Sequence, residues 1–199
     1  TSKPTLMNVT FSGNSSTTYG GAITNYGNGS LPVLTNNILW GNTASPGDTN
    51  GQQIYNYDGV APTINYSLVQ GGDSGSNTGT AFSTGAGNIS TDPLFAAAAS
   101  GDLRLLPGSP AIDSGTNTGA PATDIRGASR PVNVVTDMGA YESRGFTLTK
   151  TSGDNQSTTI STAFASPLVV GIASSATSPI PAEPVDGGKI TFTPPTSGA

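Results

Sequence analysis

The sequence predicts an all-β protein in which a parallel β-helix is followed by part of a β-sandwich. The first observation is a phrase that recurs at intervals of 29 positions: Asn8-Val9-Thr10-Phe11 returns as Asn37-Ile38-Leu39-Trp40 and, more loosely, as Tyr66-Ser67-Leu68-Val69. A second phrase, Gly20 to Tyr26, returns 31 positions later at Gly51 to Tyr57. Repeats of about 20 to 50 residues are typical of stacked architectures, in which each repeat buries its apolar face against the next.

Alternation within the phrases indicates strands rather than helices. In residues 6–11 and 33–40, successive side chains fall on opposite sides of an extended chain, which is the period of two that strands have. No long apolar window with helical spacing is visible. The sequence therefore predicts one strand over each of these two segments.

The stretches between the phrases favour turns. Residues 12–16 and 41–51 consist mostly of Gly, Asn, Ser, Thr, Asp and Pro, which suit turns and left-handed backbone conformations. Short strands alternating with polar turns at a constant period predict a parallel β-helix over residues 1–90. We expect its matching asparagines, Asn8 with Asn37 and Asn25 with Asn56, to form hydrogen-bonded ladders. An antiparallel sandwich with coincidental phrase similarity stays open as the alternative.

Composition favours an extracellular structural protein. The 199 residues include 27 Gly, 15 Pro and no Cys, and only 10% are charged. No apolar run is long enough to cross a membrane, and a net charge of −5 with only 7 basic residues makes nucleic acid an unexpected partner. Because Thr1 lies almost inside a strand phrase, we expect the natural polypeptide to extend further towards its N-terminus.

From about residue 91 to residue 143 the recurring phrases stop, and a segment without repeats follows. Short apolar clusters stand between Pro, Gly and Asp, in the segments Thr91–Phe95, Gly101–Leu105, Pro107–Gly115, Thr123–Gly127 and Asp137–Glu142. Such clusters suit a closing cap, because the open end of a β-helix exposes unpaired backbone groups that invite association. Three of the four Arg residues lie here and the fourth, Arg144, follows directly, all near several acidic residues, and we expect charge pairs to fix the irregular loops.

The order of these motifs resembles a known family. Asp-Pro-Leu-Phe, Gly-Ser-Pro-Ala-Ile-Asp-Ser-Gly, Asp-Ile-Arg-Gly and Asp-Met-Gly-Ala-Tyr-Glu resemble the C-terminal end of bacterial right-handed β-helix proteins of the choice-of-anchor type. The upstream Phe-Ser-Gly-Asn and Gly-Gly-Ala-Ile phrases are similar to repeats of polymorphic outer-membrane and autotransporter-like surface proteins. The resemblance covers residues 5–142. It implies a right-handed β-helix and a secreted or cell-surface location, but no single activity.

The segment 144–199 predicts further strands. These are Phe146–Thr149, Thr158–Phe164, Pro167–Ile172 and Lys189–Thr193, separated by Gly, Ser and Pro turns typical of a β-sandwich. The segment resembles the bacterial immunoglobulin-like repeats of invasin-type adhesins. It departs from them in length, because such domains have about 100 residues and roughly half of that is present. We therefore expect an incomplete immunoglobulin-like segment.

Three explanations of the missing half stay open. The sequence is part of a longer polypeptide, or the segment is a β-extension of the helix, or a neighbouring subunit completes the sheet by strand addition. Strand addition gives a head-to-tail assembly, which makes filaments when the rotation between subunits does not close. In that case we expect the apolar side chains of Phe146, Leu148, Ile190 and Phe192 to contact the neighbour.

The residue inventory argues against an enzyme. The chain has no His and no Cys, so the commonest general base and the thiol nucleophile are both missing. Glycosidases need two carboxylates about 5–10 Å apart over an open groove. The acidic residues of the first 90 positions are only Asp48, Asp58 and Asp73, all in turn-like contexts. A polysaccharide-degrading β-helix is therefore the less favoured alternative.

Four acidic residues are candidates for a calcium site. Asp113, Asp124, Asp137 and Glu142 lie in the cap region and have the oxygen ligands that calcium prefers. Structural pairing with Arg competes with metal binding, and the chain has no Asp-rich calcium loop. Calcium is the only cofactor that the sequence brings into question.

Surface glycans are candidate partners. Tyr26 and Tyr57 follow Asn in equivalent turns, where exposed aromatic rings would stack on sugars. Trp40 aligns with Phe11 and Val69, which predicts an interior position for it. The sequence as a whole predicts a non-enzymatic structural or adhesive module, with carbohydrate binding as the alternative.

Overall fold

Short strands form the regular structure of this chain. The computed structural model describes residues 3–26, 32–44, 52–56, 62–72, 83–159 and 161–193. The strands are β1 (Thr5–Met7), β2 (Thr10–Ser12), β3 (Ile23–Asn25), β4 (Val33–Thr35), β5 (Ile38–Trp40), β6 (Ile54–Asn56), β7 (Thr63–Asn65), β8 (Leu68–Val69), β9 (Ser83–Thr84), β10 (Phe95–Ala97), β11 (Asp102–Leu105), β12 (Phe146–Ser152) and β13 (Val169–Ser174). Within the described ranges there is no α-helix, and no helix that is long and apolar enough to cross a membrane. The predicted all-β class is confirmed.

The first nine strands form three parallel sheets, which we call the stack. β1, β4, β7 and β9 lie side by side in the first sheet, β2, β5 and β8 in the second, and β3 and β6 in the third. All of these neighbours run parallel. The first two repeats therefore contribute one strand to each of the three sheets, as the recurring phrases predicted, and the third contributes β7 and β8 within the described residues.

The register corrects the predicted repeat length in the second sheet. Paired residues of β2 and β5 are 28 positions apart and those of β5 and β8 are 30 apart, whereas the recurring phrases predicted 29 positions for both pairs. Phe11 consequently lies beside Leu39, and Leu39 beside Val69. Trp40 was predicted to join this column, but it pairs with Ser12. Because a shift of one residue moves a side chain to the other face of a strand, Trp40 does not lie in the interior column.

A left-handed corner residue separates the first-sheet strand from the second-sheet strand in each repeat. Asn8, Asn36 and Tyr66 have φ angles of 53°, 55° and 46°. Asn visits this region more readily than most residues because its short polar side chain hydrogen-bonds locally. The predicted strands over residues 6–11 and 33–40 are therefore each divided in two, because a left-handed residue cannot continue an extended chain.

Asparagine side chains connect successive repeats. The predicted ladder of Asn25 and Asn56 is confirmed: both are buried, and Nδ2 of Asn25 donates to Oδ1 of Asn56 at 3.5 Å. The predicted pairing of Asn8 with Asn37 is wrong by one position. Oδ1 of Asn8 accepts from Nδ2 of Asn36 at 3.2 Å, and Oδ1 of Asn37 accepts from the N–H of Val9 at 2.8 Å. The offset of 28 residues accounts for this difference.

The interior of the stack is apolar. Strands of all three sheets contribute side chains that are at most 1% exposed, namely Leu34, Leu39, Ile54, Ile64 and Val69. Full burial of such a side chain stabilises a fold by about 1.5–3 kcal/mol. This cluster therefore stabilises the stack by burying side chains from all three sheets together.

A second apolar cluster joins the stack to the following segment. Ile38 and Leu68 contact Leu105, Ala111 and Met138, and all five are buried. Ile38 directly precedes the interior residue Leu39, and Leu68 directly precedes the interior residue Val69. Because successive side chains of a strand point to opposite faces, Ile38 and Leu68 lie on the outward face of the second sheet. Residues 91–143, predicted to close the end of the stack, thus pack along its side; we call them the flanking segment.

Hydrogen bonds at two corners hold the flanking segment in place. Nδ2 of Asn36 donates to the carbonyl oxygen of Thr116 at 2.7 Å, and Oδ1 of Asn36 accepts from the N–H of Thr116 at 2.8 Å. Nδ2 of Asn8 donates to the carbonyl oxygens of Asp137 and Gly139 at 2.9 and 3.3 Å. The first two repeats are therefore tied to backbone that follows 80 to 131 positions later.

After residue 143 the chain forms an antiparallel ribbon of β12 and β13. Two predicted strands, Phe146–Thr149 and Pro167–Ile172, overlap the ribbon and are confirmed in part. Residues 144–159 and 161–193 contain no second sheet. The predicted immunoglobulin-like sandwich is thus represented there by the ribbon alone.

The other two predicted strands, Thr158–Phe164 and Lys189–Thr193, are wrong for the residues that the structure describes. Ser161 has a φ of 66°, which interrupts an extended chain. Residues 175–193, which follow β13, are called the tail. The backbone N–H of Lys189 donates to the carbonyl oxygen of Pro107 at 2.7 Å, so the tail lies against the flanking segment there.

Candidate functional site

Tyr26 and Tyr57 are the residues predicted to bind sugars. Tyr26, directly after β3, is 70% exposed, whereas Tyr57 lies outside the described residues. The ring of Tyr19, which is 46% exposed, stacks on the buried ring of Tyr55 with 4.1 Å between centroids. The side of the stack that bears the third sheet therefore presents two exposed aromatic residues.

Asp124 organises the Asp-Ile-Arg-Gly turn of the flanking segment. Its Oδ1 accepts from the backbone N–H groups of Arg126 and Ala128 at 2.7 and 2.9 Å, and its Oδ2 accepts from the N–H of Glu142 at 3.1 Å. Burial opposes ionisation, but these N–H groups and the Arg126 guanidinium outweigh it and lower the pKa of Asp124. The buried carboxylate is therefore held ionised by the turn that surrounds it.

Arg126 links three parts of the chain. Its Nη2 lies 2.9 Å from Oδ2 of Asp124 and donates to the carbonyl oxygen of Glu142 at 2.6 Å. Its Nη1 donates to both carboxylate oxygens of Glu183 at 3.2 Å. The guanidinium also lies 5.2 Å from the centre of the Tyr141 ring, a cation–π contact. The predicted pairing of Arg with the acidic residues of this region is confirmed.

Asp137, Glu142 and Arg130 form the most deeply buried part of this network. Oδ1 and Oδ2 of Asp137 accept from the N–H groups of Asp113 and Ser143 at 2.8 and 2.6 Å. Oε2 of Glu142 accepts from the N–H of Asp137 at 3.0 Å and lies 3.6 Å from Nη1 of Arg130. Burial, together with the nearby Glu142 carboxylate, raises the pKa of Asp137 to about 8.

These carboxylates do not fit a calcium site. Asp113 is exposed, and its carboxylate accepts from Nδ2 of Asn133 at 2.9 and 3.3 Å. The carboxylate oxygens of Asp124, Asp137 and Glu142 accept hydrogen bonds from N–H donors, as described above. Calcium requires about six to eight oxygen ligands around one ion, and no group of three or more acidic residues in the described ranges is placed to hold a metal ion. The network fixes loops instead.

The structural role of Glu183 was not predicted from the sequence. This residue is only 4% exposed, and besides its pair with Arg126 it accepts the backbone N–H of Arg144 at 3.1 Å. Its own N–H donates to Oγ of Ser174 in β13 at 2.7 Å. A single acidic residue in a Pro-rich stretch gives no signal of such a role. Glu183 fastens the C-terminal segment to the flanking segment.

A groove of about 690 Å³ lies where the ribbon, the tail and the flanking segment meet. Its apolar lining comes from Ile112, Phe146, Leu148, Ile172 and Ile190. Its polar lining includes Ser109, Asp113, Asn133, Arg144, Ser175, Lys189 and Thr191. The volume lies within the range of about 300–1,000 Å³ that is usual for ligand sites.

Three of the four residues predicted to contact a neighbouring subunit line this groove. They are Phe146, Leu148 and Ile190, of which Leu148 is 58% exposed. Phe192 lies outside the lining and is 56% exposed. The structure thus brings together apolar residues of the ribbon and the tail that are 42 or more positions apart in sequence.

Comparisons with known proteins add no family to this description. No family model, curated protein or solved structure matches this chain. The function proposed below therefore rests on the residues themselves and on the resemblance of their motifs.

Proposed function

We propose that this chain is a right-handed parallel β-helix module with a non-enzymatic structural or adhesive function in an extracellular or cell-surface protein. The observation that carries the proposal is the stack, in which the strands β1 to β8 of three parallel sheets recur at offsets of 28 to 31 residues and β9 follows β7 after 20. Such a stack is a rigid spacer, because every repeat is bonded to its neighbours along the whole sheet. The order of the motifs between residues 5 and 142 supports a bacterial surface location.

The chemistry of the stack supports a mechanical role. No Asp or Glu occurs among the described residues from 3 to 72, and Lys3 is their single charged side chain. Acid–base cleavage of a glycan requires a pair of carboxylates on an open face. The buried acids of the flanking segment are bonded to backbone amides and to Arg, which leaves them no access to a substrate.

The ribbon supports contact with a neighbouring module or subunit. In the described part of the chain, β12 and β13 pair only with each other, so each leaves one edge without a strand partner. An isolated two-stranded ribbon is marginally stable at best, and a third strand completes it. Strand addition from a neighbour would give a head-to-tail assembly of extended modules.

Light scattering and electron microscopy of the purified chain test this assembly. We expect elongated multi-chain particles at micromolar concentration, and we expect Phe192→Asp to shorten them by placing a charge on the exposed tail. Val134→Asp is a matched control, because Val134 is 82% exposed but belongs to the flanking segment. A monodisperse monomer at every concentration would contradict the assembly.

Carbohydrate binding is a second candidate, favoured by the exposed rings of Tyr19 and Tyr26. Binding of the folded chain to a glycan array, reduced by Tyr26→Ala and Tyr57→Ala, is the result that supports it. Val134→Ala serves as the control for the loss of exposed apolar surface. If none of the arrayed glycans is retained, this candidate is discarded.

A further inference from the structure

The groove between the ribbon, the tail and the flanking segment has fixed walls. The backbone N–H of Lys189 donates to the carbonyl oxygen of Pro107 at 2.7 Å, which joins the tail to the flanking segment. The N–H of Ser175 donates to the carbonyl oxygen of Gly145 at 3.0 Å, which closes the base of the ribbon. Glu183 adds the ion pair to Arg126. A groove held by bonds from three segments is formed before any ligand arrives.

The charges of the groove do not balance. Arg144 and Lys189 line it, and within the described ranges neither side chain has a hydrogen bond or an ion pair. Asp113, the acidic residue of the lining, accepts from Nδ2 of Asn133, and its carboxylate offsets one of the two positive charges. In a chain with a net charge of −5, this is a local surplus of positive charge.

We propose that this groove binds an extended peptide segment in which carboxylate side chains stand beside apolar ones. The aliphatic side chains of Leu148, Ile172 and Ile190 offer the apolar contact, and the two unpaired cations offer the partners for the carboxylates. The proposal deepens the proposed function and rests on it, since it states the chemistry of the segment that a neighbouring module or subunit contributes.

The lining favours a peptide over a sugar. Sugar rings stack on flat aromatic surfaces, and Phe146 is the one aromatic residue among the lining side chains. Branched aliphatic side chains instead suit the alternating apolar residues of an extended strand. Because Phe146, Leu148 and Ile172 line the groove from one face of the ribbon, such a segment would pack across that face of β12 and β13.

Fluorescence anisotropy with a labelled eight-residue peptide of alternating Val and Glu tests the proposal on the full chain. We expect saturable binding, and we expect Arg144→Gln combined with Lys189→Gln to weaken it about three- to thirtyfold, as the loss of two partly exposed ion pairs implies. Leu148→Asp should abolish binding. A peptide of alternating Val and Lys should not bind.

Lys150→Gln is the matched control. It removes one positive charge from the same ribbon, but Lys150 pairs with Asp154 and does not line the groove. Its affinity for the Val–Glu peptide should equal that of the wild type. Each variant is checked by its urea unfolding midpoint, so that a change in binding is not mistaken for a loss of folding.

The outcomes separate this proposal from the assembly. Peptide binding by a chain that stays monomeric supports the groove and refutes the assembly. Assembly that is unaffected by the double variant, together with no peptide binding at millimolar concentration, refutes the groove alone. Equal weakening by Lys150→Gln, or preferential binding of polygalacturonate over the peptide, would also overturn the groove proposal.

Discussion

Replacing Asn36 by Ala is expected to loosen both the stack and its attachment to the flanking segment. The residue is completely buried, and its side chain makes three hydrogen bonds, one to Asn8 and two to the backbone of Thr116. Its φ of 55° places it in the left-handed region, which Asn tolerates and Ala does not. The substitution therefore removes a bridge and strains the backbone at once.

The two effects have separable magnitudes. A hydrogen bond contributes about 1 kcal/mol net to stability, so the three bonds of the Asn36 side chain are worth about 3 kcal/mol. The left-handed backbone adds about 1–2 kcal/mol for a residue with a Cβ. We therefore expect Asn36→Ala to lower the free energy of unfolding by about 4–5 kcal/mol. Asn36→Gly loses the bonds without the strain, although the extra freedom of Gly in the unfolded chain offsets part of the difference.

Urea unfolding followed by the fluorescence of Trp40 is a suitable assay. Trp40 is the sole Trp of the chain and packs against the cluster between the second sheet and the flanking segment, so it reports on their separation. Asn36→Ala should unfold at a lower urea concentration than Asn36→Gly, and both at a lower one than the wild type. A loss below about 1 kcal/mol in both variants would refute the bridging role. Equal losses would refute the contribution of the left-handed corner.

Three further predictions concern the core, the tail and pH. Leu39→Ala should lower the free energy of unfolding by about 2–5 kcal/mol, because the side chain is completely buried. Val33→Ala, on the exposed side of β4, should lower it much less. Similar losses in the two variants would contradict the interior position of Leu39. Glu183→Ala should cost about 1.5–3 kcal/mol in chemical unfolding, because it removes the charged hydrogen bonds to Arg126 and Arg144 while Arg126 keeps Asp124 as a partner. It should also speed proteolytic cleavage between β12 and the tail, unlike the exposed control Asp186→Ala. Burial and the Glu142 carboxylate raise the pKa of Asp137 to about 8, so between about pH 4 and 8 the folded state keeps a proton that the unfolded chain releases. The free energy of unfolding should therefore fall as pH rises from about 4 to 8. A free energy that does not change with pH in the wild type, or an equal change in Asp137→Asn, would count against this assignment.

The strand order of the stack was largely readable in the sequence. Ile23 and Asn25 pair with Ile54 and Asn56 as the second phrase predicted, because a repeat that must bury the same column keeps its apolar positions in step. The recurring phrases give 29 residues for both offsets, whereas the register has 28 and 30, because Phe11 aligns with Trp40 in sequence but lies beside Leu39 in the sheet. Only the register of the neighbouring strand decides between two adjacent apolar residues.

The groove and the ionic network could be predicted only in part. The motif of Asp124 and Arg126 revealed a local charge pair, because both members lie within one turn. The pair of Glu183 with Arg126 and the bonds of the Asn36 side chain to the backbone of Thr116 gave no signal, because these partners are 57 and 80 positions apart and meet only through the path of the loops between them. The alternation of Thr158–Phe164 fits a strand, but the backbone at Ser161 is left-handed, so the strand predicted there is wrong.

The bonds of Asn8 also bear on how the protein is made. Its partners, the carbonyl groups of Asp137 and Gly139, are synthesised 129 and 131 residues later. At about 5–20 residues per second, the ribosome needs roughly 6 to 26 seconds to deliver them. During that interval the first corner has no flanking segment to hold it, and the outward face of the second sheet is open to solvent. The nascent chain therefore passes through a period in which the corner at Asn8 lacks the hydrogen bonds that hold it in the finished fold.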